Sequence, residues 1–330
     1  MNRVLGLIGR RLLASMFVLG LVVVGTFFLL EAAPGDAVDA YAAALGAGDA
    51  GLTAELRAQW GLDQSPWARL LAYGYALAHL DLGRSLIFSR PNLEIIRERL
   101  PNTLLLMGTA TALSFGLGSL LGIWAGARPG SFRDRLLSIG SLALYAIPGF
   151  WLGLVLLVVF AIELRWLPLS GIETIASGKQ GFARGADIAR HLVLPVGALS
   201  LIYLALYLRV MRAAMAEAWR QDFVLAAKAR GIPRRRIVLG HVARNAMMPL
   251  VTMLGLQSAA MLGGSIVIES VFAIPGLGRL AYEAVAGRDT SLLMGIILVS
   301  AVLVIAINLA VDLLYAWLDP RVGANTTGVA

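Results

Sequence analysis

Six long apolar stretches constrain this chain more than any other feature. They lie at about 10–31, 102–127, 136–164, 190–213, 246–270 and 291–317. A run of about 20 apolar residues is long enough to cross a hydrocarbon core of roughly 30 Å. In that medium every backbone N–H and C=O must be paired within the protein, so such runs cross as helices. The sequence therefore predicts an all-α integral membrane protein with about six transmembrane helices. Composition agrees: 58% of residues are hydrophobic and only 15% are charged, where a soluble domain carries about 25% charge. There is no cysteine, so disulfides, thiol nucleophiles and thiolate metal sites are excluded. The three histidines, His79, His191 and His241, are scattered and do not form a metal-binding group. Arg3, Arg10 and Arg11 before the first stretch give it the look of a secretory signal. Its run Leu12–Leu30 has 19 residues, against about 7–15 for a signal core. It reads as an uncleaved first membrane helix.

Charge placement orients the crossings. With the N-terminus in the cytoplasm, sixteen of the twenty-eight basic residues fall on the cytoplasmic side, against five acids. Nine of those sixteen lie within 209–245. The excess of Lys and Arg in short loops marks the cytoplasmic face, which predicts both termini inside. The net charge of +8 then reflects topology and an affinity for membrane lipid, not nucleic acid. Residues 1–33 form the first transmembrane helix, 34–99 an extracytoplasmic module, 100–318 five further helices, and 319–330 a cytoplasmic tail. In the module, Leu52, Leu56, Trp60, Leu62, Trp67, Leu70, Leu71 and Tyr75 are spaced like short amphipathic helices. The first has Thr53 as its expected N-cap, and the module is expected to lie on the membrane surface. Pro101 is expected to open the second span. Ser114, Gly118, Gly122 and Gly126 recur every four residues there and form a groove for close helix packing.

The polar segment with the most information runs from Gln221 to Pro249. Asp222 suits a helix N-cap. Ala226, Ala227 and Ala229 give the helix a small exposed face. Gly231 suits the position just past its end, and Pro233 starts a second helix. Helix, sharp turn and helix, flanked by cations, make a docking element within 215–245. An ordinary basic loop held to anionic lipid is the simpler alternative.

The arrangement of residues resembles the coupling loop of bacterial ABC-importer permeases. Ala226, Ala227 and Gly231 match that family's Glu-Ala-Ala…Gly pattern. Leu225 stands where the Glu would be, and His241, Ala243 and Arg244 replace its Ile-x-Leu-Pro end. His241, Asn245 and Pro249 instead follow Gly231 in the spacing of the dipeptide/oligopeptide/nickel branch. Other segments carry the same resemblance along nearly the whole chain. They include Pro34-Gly35-Asp36, Asp81-Leu82-Gly83-Arg84-Ser85, Ile147-Pro148-Gly149-Phe150-Trp151, His191-Leu192-Val193-Leu194-Pro195 and Glu269-Ser270-Val271-Phe272-Ala273-Ile274-Pro275-Gly276. The long module after the first span is similar to the first of the two permease subunits.

The resemblance implies the ABC type I importer transmembrane fold and a bacterial inner-membrane location. It implies a heterodimer with a second, similar permease, two cytoplasmic ATPase subunits docked on Asp222, Ala226, Ala227, Ala229, Gly231, Pro233, His241 and Asn245, and an extracytoplasmic binding protein. ATP and Mg would be used by the partner ATPases. This chain has no Gly-x4-Gly-Lys-Ser/Thr phosphate loop, and no catalytic residue, cofactor or metal ligand is expected in it. Substrates of the branch are peptides, nickel chelates and other small solutes. Asn308 and Asp312 share a helix face and form a candidate clamp, with Arg209 or Arg212 as the partner expected for a carboxylate in that setting. Glu269, Phe272 and Pro275 form a candidate outer gate or a contact for the binding protein; the alternative is an interfacial Glu269 satisfied by water. A stand-alone secondary transporter, favoured by the Pro148-Gly149 break, lacks the expected internal repeat. An intramembrane enzyme lacks a nucleophile and base.

Overall fold

The structure, a computed structural model, describes residues 2–35, 38, 39, 50–59 and 61–318. The expected tail 319–330, Asp36, Trp60 and the stretch 40–49 lie outside the described residues. Among the described residues the chain is helical, with one isolated antiparallel bridge between Arg84 and Pro91. In chain order the helices are α1 (Asn2–Glu31), α2 (Ala50–Gln59), α3 (Pro66–Ala78), α4 (Asn92–Gly126), α5 (Phe132–Ala146), α6 (Gly149–Leu157), α7 (Gly181–Ala218), α8 (Asp222–Ala229), α9 (Arg234–Arg236), α10 (Ala243–Val271), α11 (Leu277–Ala286) and α12 (Thr290–Leu318). Two π-helical stretches, Val158–Glu163 and Ile237–Val242, extend α6 and join α9 to α10. Among these residues, five helical segments are long and apolar enough to span: Leu13–Glu31, Asn92–Gly126, Gly181–Ala218, Arg234–Val271 and Thr290–Leu314. The sixth is a broken pair, α5 and α6, bent by 96°. Pro148, which lacks an N–H and holds its predecessor extended, sits at that bend with φ −60° and ψ 133°.

Several helix starts differ from the sequence reading. α4 begins at Asn92, so Pro101 lies inside the helix and does not open it. The reason is the amphipathic stretch before it, which buries Ile95 and Ile96. The fourth span likewise starts at Gly181, with Pro195 inside. α2 starts at Ala50, which places Thr53 within the helix and not at its cap.

The chain forms two compact units. The first comprises Met1–Pro101 and Pro275–Ala306. Its core packs Leu82, Ile95 and Ile96 with Leu277, Leu280, Ala284, Leu292 and Ile296. Asp289, fully buried, organises the polar part of this unit. One carboxylate oxygen accepts from Ser85 Oγ at 2.6 Å and from the Leu86 and Ile87 amides at 2.8 and 3.2 Å. The other accepts from the Leu292 amide at 3.0 Å, three residues on, as a helix cap does. Asn92, also buried, donates to the Leu82 carbonyl and to Ser291 Oγ. The Asp81–Ser85 motif is thus held by side chains.

The second unit comprises Asn102–Ile274 and Ile307–Ala330. Within it α4 packs closely against α7, and the glycine groove carries that contact. A Cβ on Gly118 would lie 2.7 Å from Tyr207 Cβ. One on Gly122 or Gly126 would lie 2.5 Å from Met211 Cβ or Met215 Cβ. The backbones approach so closely that only hydrogen fits at each position. In the same unit the 172–187 segment is folded by ion pairs. Arg184 forks Glu173 at 2.6 and 3.0 Å and holds its carboxyl below the usual range.

Candidate functional site

The Arg-rich segment forms two short helices with an abrupt turn. α8 starts directly at Asp222; Gln221 occupies the cap position without a side-chain bond. Asp222 is therefore a first-turn residue and not the expected N-cap. Its charge still favours a helix N-terminus. At the other end, Ile232 N–H bonds the Ala227 carbonyl at 3.1 Å and Gly231 N–H bonds that of Lys228 at 2.9 Å. This pair of bonds is the Schellman closure. It places Gly231 in the left-handed region, φ 71°, with open space where a side chain would stand. Pro233 then precedes α9 in an extended conformation.

The element has one inward and one outward side. Val224 and Ala227 face in, together with Ile237, Val238 and Val242. They pack with Met211, Met215, Ala218 and Leu250. Leu225, 70% exposed, Ala226 and Ala229 face out. The expected exposed alanine face is corrected at Ala227, which the helix period of 3.6 turns into the core beside Val224. His241 is half-buried, and its carbonyl accepts from Asn245 Nδ2 at 2.8 Å.

Two side chains fasten this element to the end of α4. Trp219 Nε1 donates to the Gly126 carbonyl at 2.9 Å. Arg234 donates to the Ala127 carbonyl at 2.9 Å. Both carbonyls belong to the helix end, where the last four lack intrahelical partners. The Trp219 ring is flanked by Arg234 and Lys228, their cations 5.4 and 5.7 Å from its centroid. Next to it Arg212 forks Asp134, with Nη2 at 3.0 Å from one oxygen and Nε on the other. Asp134 is 1% exposed and also accepts from the Gly130 amide. Arg209 lies over the Tyr145 ring. Arg212, one of the two arginines considered for Asp312, thus forks Asp134. Asp134 lies at the first turn of α5, where it meets α7 directly. Sequence reading did not single out Trp219, Asp134 or Asp289, because their partners stand 93, 78 and about 200 positions away.

The remaining candidate residues fall elsewhere. Glu269 is fully buried and accepts from Thr103 Oγ1 at 2.7 Å. That corrects the alternative of a water-satisfied interfacial carboxylate, since α4 covers it. Phe272 is buried, and its carbonyl accepts from the Gly171 amide at 2.9 Å. Pro275 is the first residue of the return segment in the other unit. Asn308 faces Gly255, where its Oδ1 and the Val311 side chain stand 3.3 Å from an added Cβ. Asp312 is half-buried one turn further along α12.

The family model for binding-protein-dependent transport system inner membrane components matches residues 118–324. The chain belongs to that family. This permease is 34% identical over 321 residues to the oligopeptide transport system permease protein AppB of Bacillus subtilis (strain 168), covering 96% of this chain and 98% of that one. It is 38% identical over 314 residues to a Brucella ovis protein named as a peptide permease, covering 95% and 97%. The inward-facing MetNI methionine ABC transporter is similar in structure, with a TM-score of 0.55 at 18% identity, covering 69% of the permease and 97% of that chain. That likeness carries the fold: the all-α transmembrane fold of a type I ABC importer. The permease is accordingly a multi-pass membrane protein, and the matched region contains the whole α8–α9 element.

Proposed function

We propose that this permease is one transmembrane half of an ATP-driven peptide importer and that α8–α9 receives force from a cytoplasmic ATPase. The observation that carries this reading is the way the element is built. Its outer side presents Leu225, Ala226 and Ala229 with cations around them. Its inner side is cored and fastened to α4, so a push on it displaces a spanning helix. Peptide as the substrate class rests on the similarity to the oligopeptide and peptide permeases described above. The two relatives described above do not favour the nickel-chelate alternative. A second, similar permease completes the pathway, two ATPase subunits supply hydrolysis with their own ATP and Mg, and a binding protein delivers substrate. Arg density in 209–244 favours placing that loop, and both termini, in the cytoplasm.

Because the chain lacks cysteine, single cysteines can be introduced at will. Leu225→Cys and Ala226→Cys should crosslink to a co-expressed ATPase subunit, and Ala227→Cys should not. Uptake by the reconstituted complex should be vanadate-sensitive. Vanadate-insensitive uptake by the permease alone, or equal crosslinking at all three positions, would overturn the reading.

A further inference from the structure

α3 leaves one face uncovered. Of its thirteen residues only Arg69 is charged. Trp67, Leu71 and Tyr75 are 65%, 73% and 72% exposed. They stand four residues apart, in one stripe about 12 Å long. Gly74 and Ala78, also exposed, fill the same face. A helix face turned to water carries polar and charged side chains; this one has no charge, and its only polar side-chain groups are the Trp67 indole N–H and the Tyr75 hydroxyl.

The opposite side of α3 is tied to the last turn of α1. Arg69 Nη1 forks Glu31 at 2.9 and 3.1 Å. The Arg69 guanidinium lies 5.8 Å from the Phe27 ring centroid. Trp67 meets Phe28 edge-on, centroids 5.0 Å apart. α1 is itself a bare apolar rod, with Leu13, Met16, Phe17, Leu21 and Leu29 all more than 60% exposed. As a spanning helix it leaves the hydrocarbon at the first charged residue after its apolar run, Glu31. Trp67, fixed beside Phe28, therefore stands at the boundary between acyl chains and headgroups. That is the depth where Trp and Tyr collect.

We infer that α3 is an interfacial helix whose Trp67–Leu71–Tyr75 face is covered by membrane phospholipid. The lipid-facing surface of α1 continues onto it without a break, through the Phe28–Trp67 contact. The Arg69–Glu31 fork sets the angle at which the helix leaves the spanning rod and keeps its one charge away from the acyl chains. The inference depends on α1 crossing the bilayer and is independent of ATPase docking.

Spin labels test it. Leu71→Cys and Tyr75→Cys, with Asp63→Cys in the preceding exposed turn as the aqueous reference, would be labelled in the complex with its partner subunits. The vesicles would be phosphatidylethanolamine and phosphatidylglycerol. Labels at 71 and 75 should be mobile and should shift from collision with a water-soluble nickel chelate toward collision with oxygen, relative to the label at 63. Chelate access equal to that at 63 would mean a water-facing docking face and would overturn the proposal. An immobile label shielded from both reagents would mean a protein-covered face and would overturn it equally. All three sites are exposed, so the substitutions leave packing intact, and retained uptake verifies this.

Discussion

Left-handed residues close several helices of this permease, and two of them are unalike. Gly231 at the end of α8 has φ 71°, and Ala273 after α10 has φ 50°. Both make the same closure: Ile274 N–H reaches the Glu269 carbonyl at 2.8 Å as Ile232 N–H reaches that of Ala227. A side chain in this region costs about 1 kcal/mol, because Cβ crowds the following carbonyl. Gly231→Ala should therefore destabilise by about 1 kcal/mol, with no steric clash added. Ala273→Gly should stabilise by a similar amount. Thermal unfolding in detergent would show opposite shifts in midpoint. Only one of the two closures was legible in the sequence. Glycine before Ile-Pro announces a turn, whereas an alanine inside Val-Phe-Ala-Ile announces nothing. The same limit applies to Asp289, whose binding partners at 85–87 lie far away along the chain.

The fit of α4 against α7 depends on what is absent from its surface. Gly122 stands with Met211 Cβ and the Leu208 carbonyl at 2.5 and 2.9 Å from where its own Cβ would be. Gly122→Val would force the helices apart, an overpacking cost of about 1–3 kcal/mol. It should lower the unfolding midpoint in detergent, while Gly108→Val, which meets open space, should leave it unchanged. This face was legible because a four-residue spacing of small side chains has one geometric use. The helix ends were less so. Pro101 suggests a start, yet it lies inside a longer helix, as do Pro195 and Pro249. A proline within three long helices is tolerated where neighbouring packing holds the segment.

At the level of the molecule, the relevant quantity is how faithfully a push on α8 reaches the spanning helices. The contacts at Trp219 and Arg234 supply that link within the second unit. Trp219→Leu removes the indole donor and both cation contacts. It should leave insertion and ATP hydrolysis in place while uptake per ATP falls about tenfold, the worth of two exposed cation–π contacts. Vesicle uptake and phosphate release, measured together, check this. Unchanged stoichiometry would make the tryptophan only a packing residue. The six spans, the Arg-rich loop and the Gly231 turn were legible because periodicity and punctuation are local signals. The fasteners were not, because they pair residues of different spans. The π-helical stretch Ile237–Val242 has a consequence of the same kind. It acts as a phase adjuster between the Arg-rich turn and the fifth span. The wider turn holds one extra residue, so a single residue removed there would tighten the stretch to α-helical winding and leave everything before it in nearly the same phase. A residue removed from the α-helical part of α10 instead has no such slack, and Leu225 and Ala226 would then turn by about 100° from their present direction with every side chain of the docking face still present.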